Sequence, residues 1–168
     1  LILVRLLTPE DFGIVAIVMS IYSLIEIFGL FGFNSAIIQK TDPQKSDYDT
    51  TFTINLCFGL IASSLMFFVA SHLAVFFDDE RLIEVFRWVA LMFLFNALVN
   101  IKVVDFQRDM NFKKELILQF FPKLFSFFVT LFLAWHLRNY LALVYGMLAF
   151  SLFNVMQSYI MKPYLPSL

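Results

Sequence analysis

The sequence predicts an all-α polytopic membrane protein, built as a bundle of about five transmembrane helices. Of the 168 residues, 61% are hydrophobic and 15% are charged, and the mean hydropathy is +0.82. A soluble domain carries about 25% charged residues, so this chain has too little polar surface to coat a globule. The apolar residues also fall into segments of the roughly 20 residues that cross a bilayer, separated by short polar connections.

The first predicted helix begins in the stretch VRLLTPEDFG. Thr8 and Asp11 have the spacing of a capping box, Pro9 suits the first helical position, and the acidic residues complement the helix dipole. The apolar span that follows covers residues 12–39 and has Glu26 as its one charge. We expect residues 1–7 to be the tail of a preceding helix that is mostly missing from this chain.

Four more spans follow in order. Ser46 and Asp49 have the spacing of a second capping box, ahead of an apolar segment over residues 51–77. The connections are short and include no linker or internal repeat, so we predict a single transmembrane bundle over residues 1–168. The last three spans cover residues 82–104, 116–136 and 140–161.

The basic residues predict the orientation of the bundle. The connections after the first, third and fifth spans hold more lysine and arginine than those on the other side, where only Arg5, Arg81 and Arg138 lie. The positive-inside rule then makes the first group cytoplasmic. That group consists of Lys40, Lys45, Lys102, Arg108, Lys113, Lys114 and Lys162.

The segment VVDFQRDMNFKKE after the third span is typical of an amphipathic interfacial helix. In that arrangement Phe106, Met110 and Phe112 enter the lipid boundary while the basic residues face the headgroups. An ordinary cytoplasmic loop is the alternative.

Polar residues inside the spans share helix faces, which indicates faces turned away from lipid. Hydrogen bonding across a packed bundle explains such stripes as well as a water path does. In the second span, Asn55, Gly59 and Ser63 repeat every four residues, a small-residue pattern typical of close helix packing. The other stripes are Ser20, Ser23, Glu26 and Asn34; Asn96 and Asn100; Gln119, Lys123, Ser126 and Thr130; and Ser151, Asn154, Gln157 and Ser158.

Two charges within the spans, Glu26 and Lys123, carry the functional hypothesis. A charged side chain at mid-membrane costs about 3 kcal/mol, so these two need either mutual pairing or a hydrated cavity. Arg87 lies about one turn inside the external boundary, where its guanidinium can extend to the interface. Pro122 removes a backbone hydrogen bond next to Lys123 and favours a kink or hinge there.

Enzymatic and metal-binding patterns are weak in this sequence. His72 and His136 lie near the external span ends without metal-ligand partners at useful spacing. The acidic residues 78–80 fit helix capping, and Cys57, the single cysteine, excludes an internal disulfide. The net charge of −1 and the lack of a basic stripe exclude a nucleic-acid binder. We therefore predict a protein that is not an enzyme, with no catalytic residues, cofactor or metal.

Five stretches of the sequence resemble polysaccharide and oligosaccharide flippases of the multidrug/oligosaccharidyl-lipid/polysaccharide exporter superfamily, in particular Wzx and WzxC-like exporters. The resemblance extends over nearly all of the chain but covers less than half of the family's usual length. It implies that the spans are helices two to six in the first lobe of a two-lobe, MATE-like transporter. The stretches are RLLTPEDFGIVAI, GLFGFNSAIIQK, TFTINLCFGL, AVFFDDERL and QRDMNFKK, of which the pattern Arg5, Leu7, Pro9, Asp11, Phe12 and Gly13 is the most specific.

What the resemblance implies is a multi-pass protein of the bacterial cytoplasmic (inner) membrane that flips an undecaprenyl-diphosphate-linked oligosaccharide by alternating access. The pathway would be lipopolysaccharide, capsule or exopolysaccharide biosynthesis. The expected partners are this lipid-linked substrate, membrane lipids, a coupling proton or sodium ion, and other polysaccharide-assembly proteins.

Candidate residues for this path come from the polar stripes. A diphosphate needs cations, for which Lys123 is the first candidate and Arg87 the second. Glu26 either binds a coupling ion or neutralises Lys123. The further candidates for lining the substrate path are Gln119, Ser126 and Asn154.

Three other functions remain open at this point. A multidrug antiporter for organic cations favours an acidic, aromatic cavity, which Lys123 opposes. A membrane-embedded glycan polymerase or ligase needs a large external loop, and the external connections here are short. A structural subunit would be favoured if Glu26 and Lys123 faced each other in a dry interface.

Overall fold

A computed structural model describes residues 2–29, 37–40, 42–164 and 166. These residues form helices and turns, with no strand among them. The helices are α1 Ile2–Leu6, α2 Pro9–Gly29, α3 Lys45–Phe76, α4 Arg81–Ala97, a 3-10 helix at Ile101–Val104, α5 Asp105–Arg108, α6 Phe112–Leu137 and α7 Leu141–Met161.

Four of these helices, α2, α3, α6 and α7, are long and apolar enough to cross a membrane. Helix α4 and the short helices after it form a fifth candidate span, which is bent by 69°. This confirms the predicted all-α polytopic fold.

Helix α4 lies at the centre of the bundle and packs against α2, α3 and α7. Helix α6 pairs with α7 on the outside, and α1 contacts α6. The main core therefore follows α4, where Leu82, Val85, Phe86 and Val89 are fully buried among side chains of its neighbours.

Two glycines permit close approach between helices. A Cβ atom at Gly59 would lie 2.4 Å from Cβ of Ala97 and 2.8 Å from the carbonyl oxygen of Phe93, so α3 packs on α4 at this point. At Gly146 in α7, a Cβ atom would lie 1.8 Å from the hydroxyl oxygen of Thr130 in α6. The small-residue packing predicted around Gly59 is confirmed, whereas the contact at Gly146 was not anticipated.

The predicted capping box at the start of α2 is confirmed. Asp11 Oδ2 accepts hydrogen bonds from the backbone nitrogen and the hydroxyl of Thr8, both at 2.8 Å. Thr8 Oγ1 in turn accepts from the Asp11 nitrogen at 3.3 Å. Asp11 Oδ1 also accepts from the backbone nitrogen of Tyr140 at 3.0 Å, so this carboxylate joins α2 to the start of α7.

The capping box predicted for the second span is wrong by two residues. Helix α3 begins at Lys45, and its box is formed by Gln44, whose backbone nitrogen donates to Asp47 Oδ2 at 2.8 Å. Asp47 also pairs with Lys40 at 2.7 Å, so its carboxylate has two partners. The carbonyl of Ser46 already accepts from the Thr50 hydroxyl inside the first turns of the helix.

The third predicted span ends earlier than residue 104. Helix α4 stops at Ala97, and the side chain of Asn100 caps the following 3-10 helix by accepting from the Lys102 nitrogen at 3.0 Å. The chain turns sharply here, so the candidate span that includes α4 and residues 101–108 is bent and not one straight helix. Helix α6, in contrast, runs through Pro122 as one α-helix.

The interfacial segment is only partly as predicted. Met110 and Phe112 are exposed, but Phe106 is buried, with the ammonium groups of Lys114 and Lys162 at 5.5 and 5.7 Å from its ring. The expectation that Phe106 enters lipid is therefore wrong, because the bend after α4 turns this ring into the bundle. In the first span, Asn34 and part of the predicted extent beyond Gly29 lie outside the described residues.

Candidate functional site

Polar residues mark the end of the bundle where α2, α4 and α7 begin. The Arg81 guanidinium lies 2.8 Å from Asp79 and 3.6 Å from Glu10, which joins the starts of α4 and α2. The hydrogen bond from Arg81 lowers the pKa of the Asp79 carboxyl. Three connections that the sequence assigned to the external side thus meet at one end.

The opposite end holds a buried charge cluster that sequence reasoning missed. Asp105 is only 4% exposed, and its Oδ1 accepts a hydrogen bond of 2.5 Å from the Tyr48 hydroxyl. Its Oδ2 pairs with Lys162, and Arg108 lies 3.6 Å away. We call Tyr48, Asp105, Arg108 and Lys162 the Asp105 network. It ties α3, α5 and the end of α7 together.

Further contacts surround the Asp105 network. The Asn100 nitrogen donates to Ser158 Oγ at 3.1 Å, and the Asn100 side chain donates to the Lys162 carbonyl. Tyr164 donates to Asp49, and burial, followed by this carboxylate, raises the pKa of Tyr164. The stripe residues Asn100 and Ser158 therefore serve helix packing.

Two cavities lie along α7, and both are lined by Phe150. The first lies between α6, α7 and the residues that follow α4, and the second lies between α2, α4, α6 and α7. The first, of about 370 Å³, we call the lysine cavity, and the second, of about 290 Å³, the glutamate cavity. We call these two neighbouring cavities together the groove. The polar residues of the lysine cavity are Gln107, Glu115, Gln119, Lys123 and Asn154; those of the glutamate cavity are Tyr22, Glu26, Asn96, Ser126 and Ser151.

In the lysine cavity, the charged groups are only partly matched. Glu115 accepts hydrogen bonds from Gln107 at 2.9 Å and from Gln119 at 3.3 Å. Lys123 is exposed, and within the described part of the chain it forms no ion pair. Its ammonium is thus available to an anionic group that enters the cavity.

In the glutamate cavity, polar groups from two helices form a hydrogen-bonded chain. Asn96 donates to the Tyr22 hydroxyl at 2.6 Å, and that hydroxyl donates to Glu26 at 3.4 Å. Ser126 donates to the Gly146 carbonyl at 2.7 Å. The buried Ser151 hydroxyl has no partner among the described residues, so it can still bond to a ligand or water.

The structure brings five of the six candidate residues to the groove. Glu26 and Lys123 lie in different cavities, and no ion pair joins them in the described residues. Arg87 is separate from both, because it lines a third cavity of about 660 Å³ between α3 and α4. Residues 2–29, 37–40, 42–164 and 166 contain no group of His, Cys, Asp and Glu that could hold a metal ion.

The groove residues differ from those of the Asp105 network in what they can do chemically. An ammonium group binds phosphate oxygens, and side-chain amides and hydroxyls bond to sugar hydroxyls. Glu115 and Glu26 could instead accept protons or cations. A polar ligand that carries a negative charge is the best match for the lysine cavity.

Comparison with known proteins gives one family and two distant relatives. The sequence profile described as "Polysaccharide biosynthesis protein" matches residues 2–168. The succinoglycan biosynthesis transport protein ExoT of Rhizobium meliloti (strain 1021) is 25% identical over 114 residues, 68% of this chain and 23% of ExoT. The teichuronic acid biosynthesis protein TuaB of Bacillus subtilis (strain 168) is 25% identical over 96 residues, 57% of this chain and 20% of TuaB.

The matched segments thus span less than a quarter of either relative. No solved structure matches the chain. The profile match covers nearly every residue, and the described helices include four that can cross a membrane. The chain is therefore a multi-pass membrane protein that belongs to the polysaccharide biosynthesis protein family.

Proposed function

We propose that this chain forms part of a flippase that moves a lipid-linked oligosaccharide across the bacterial cytoplasmic membrane, with the groove as part of the substrate path. The single observation that carries the proposal is a groove that holds charged and polar side chains, among them Lys123 and Glu26, inside a bundle whose other surfaces are mostly apolar. The family and the printed name of ExoT, a transport protein, support export of a polysaccharide or its precursor. Alternating access between two lobes is the mechanism we expect.

In this proposal Lys123 contacts the diphosphate of an undecaprenyl-diphosphate-type substrate. Its ammonium group lacks a carboxylate partner in the described residues, which supports a role in binding a phosphate. Gln119 and Asn154 share its cavity and would bond to sugar hydroxyls. Ser126 lies in the adjoining glutamate cavity, where its hydroxyl is already bonded to the α7 backbone.

Glu26 is proposed to bind the coupling ion, a proton or sodium. Its carboxylate faces a small cavity with hydroxyl and amide groups, and its one hydrogen-bond partner among the described residues is the Tyr22 hydroxyl, at 3.4 Å. The distribution of Glu26 and Lys123 between two cavities supports separate roles over mutual neutralisation. An organic-cation antiporter is the second candidate: Lys123 would repel a cation in the lysine cavity, whereas Glu115 and Glu26 would attract one in the same groove.

Export of the lipid-linked glycan at matched protein levels tests the role of Lys123. We expect Lys123→Met to abolish export and Lys123→Arg to retain part of it, because the positive charge survives. Gln119→Ala should reduce export less, since it removes only a neutral hydrogen-bonding group. Lys113→Met, which replaces an exposed lysine outside both cavities, is the matched control and should export normally.

The double variant Glu26→Gln with Lys123→Met separates substrate contact from simple neutralisation. If the two charges only balanced each other, the double variant would regain export that each single variant loses. We expect it to fold and to remain inactive. Full export by the double variant would contradict the assignment of Lys123 to the substrate.

A further inference from the structure

The third cavity lies apart from the groove and holds charges of both signs. Its volume is about 660 Å³, and it lies between α3 and α4. Glu84 and Arg87 line it from α4 and Glu80 from the position before that helix, while Ser63 and Phe67 line it from α3. The Arg87 guanidinium is 5.2 Å from the centre of the Phe67 ring, which holds the cation against an aromatic wall.

The charged side chains of this cavity form no ion pairs with each other in the described residues. Arg87 forms no ion pair within the described residues. The carboxylate of Glu84 lies at the limit of hydrogen bonding, 3.5 Å from the Tyr140 hydroxyl. A cation and two carboxylates that lack strong partners on one open face suit a ligand that itself carries both signs.

The order of these charges along α4 is specific. With a rise of about 1.5 Å per residue, Arg87 lies about 4 Å deeper than Glu84 and about 10 Å deeper than Glu80 along the helix axis. Glu80 is the residue that precedes α4, at the turn between α3 and α4, so the carboxylates lie nearer the bundle end and the cation lies nearer its middle.

Below Arg87, the face of α3 is apolar and open. Leu60, Ile61 and Leu65 are all exposed, and Ile61 is 68% exposed. In a membrane protein such side chains lie against acyl chains. From the middle of the bundle outward, the surface therefore presents hydrocarbon, then a cation, then carboxylates.

We infer that this cavity binds the headgroup of a phospholipid of the phosphatidylethanolamine type. Such a lipid presents the same order of groups in complementary form: acyl chains, then an anionic phosphate, then a primary ammonium nearest the water. Arg87 takes the phosphate with its guanidinium fork, and Glu84 and Glu80 take the ammonium group. This site is separate from the proposed substrate path, so it does not depend on the function proposed for the groove.

Native mass spectrometry of the purified chain, with phosphatidylethanolamine and phosphatidylglycerol added at equal concentration, tests this site. The wild type should retain phosphatidylethanolamine in preference to phosphatidylglycerol. Arg87→Gln should bind both lipids more weakly, by about tenfold, the change for loss of one charge-assisted hydrogen bond. Arg87→Lys should lose less, since the positive charge remains.

The carboxylates provide the discriminating variant. Glu80→Gln with Glu84→Gln should lower retention of phosphatidylethanolamine and raise that of phosphatidylglycerol, which reverses the preference, because only the ammonium needs the carboxylates. Arg138→Asn is the matched control at the same end of the bundle; it lies outside this cavity, and asparagine tolerates its left-handed backbone, so lipid binding should not change.

Two results would overturn the assignment. Equal retention of both lipids by the wild type would reduce the site to a general phosphate contact. A dimer of the chain that is independent of lipid and dissociates on Arg87→Gln would assign the cavity to a second copy instead. All variants change exposed residues, so their folding can be checked by the same mass spectra and by helical circular dichroism.

Discussion

The Asp105 network and the groove both contain charged residues of the same bundle, but these residues differ in burial and in the number of their partners. Asp105 is buried and contacts three side chains, from Tyr48, Arg108 and Lys162. Lys123 in the groove is exposed to a cavity and lacks an ion pair in the described residues. A charge with complete partners holds helices together, whereas a charge at a cavity remains available to a ligand.

The free energies at stake differ accordingly. Removing one member of a buried charge cluster leaves the others desolvated without compensation, which costs about 3–5 kcal/mol. Removing an exposed charge leaves nothing unsatisfied and changes stability little. Substitutions in the two regions should therefore separate into those that lower stability and those that lower function alone.

The largest expected effect is at the Asp105 network. Asp105→Ala removes the acceptor of Tyr48 and the partner of Lys162, and should lower the free energy of unfolding by about 3–5 kcal/mol. Loss of helical circular dichroism on heating in detergent measures this. Asp109→Ala is the control and should change little, because this side chain is well exposed and meets the network only through a surface contact with Arg108 at 3.4 Å. Unchanged unfolding in Asp105→Ala would remove the distinction between the two regions.

The next largest effect is at the α6–α7 contact that supports the groove wall. Gly146→Ala places a Cβ atom 1.8 Å from Thr130 Oγ1, and such overpacking costs about 1–3 kcal/mol. Adding Thr130→Ala should recover part of this loss, because its Cβ atom, 2.9 Å away, remains. Gly13→Ala is the control, since nothing lies within 4 Å of its added Cβ atom, and it should be neutral or stabilising.

A smaller effect is expected at the start of α2. Asp11→Ala removes a cap and the acceptor of Tyr140, and should lower stability by about 1–2 kcal/mol. The amount of folded protein should fall more than export per molecule. Glu10→Ala, next to it and highly exposed, should leave both unchanged. Normal abundance with lost export in Asp11→Ala would give this turn a direct role in transport.

The smallest effect on stability is expected in the groove itself. Lys123→Met should change the free energy of unfolding by less than about 0.5 kcal/mol, because the side chain is exposed and lacks an ion pair in the described residues. The same thermal unfolding measurement applies. A loss of unfolding free energy comparable to that of Asp105→Ala would mean that Lys123 stabilises the bundle, as Asp105 does.

The sequence predicted the helices because hydropathy and capping act over a few residues. The start of α2 was predicted in full, since Thr8 and Asp11 are three residues apart. The break after α4 was missed, because residues 101–104, apolar except for Lys102, favour continuation of a span on composition alone. The side chain of Asn100 instead caps a separate 3-10 helix over these residues.

The candidate site was predictable only in part. Polar residues on one helix face indicated Gln119, Lys123 and Asn154, which do share a cavity. The Asp105 network could not be found in this way, since Tyr48 and Lys162 come from positions 57 residues away on either side. One signal was present: Asp105 is an acidic residue directly after two valines, Val103 and Val104, and a carboxylate requires a partner if it is buried.

The hydrogen bond between Asp11 and Tyr140 has a consequence for biogenesis. The bonds between Thr8 and Asp11 can form as soon as the first turn of α2 has been synthesised, but the Tyr140 nitrogen follows Asp11 by 129 residues. In a nascent chain in which α2 has already inserted, this carboxylate therefore gains all its partners only when the start of α7 is present. The depth of α2 at the membrane surface is then fixed by α7, so α2 reaches its final position only after the start of α7 has been synthesised.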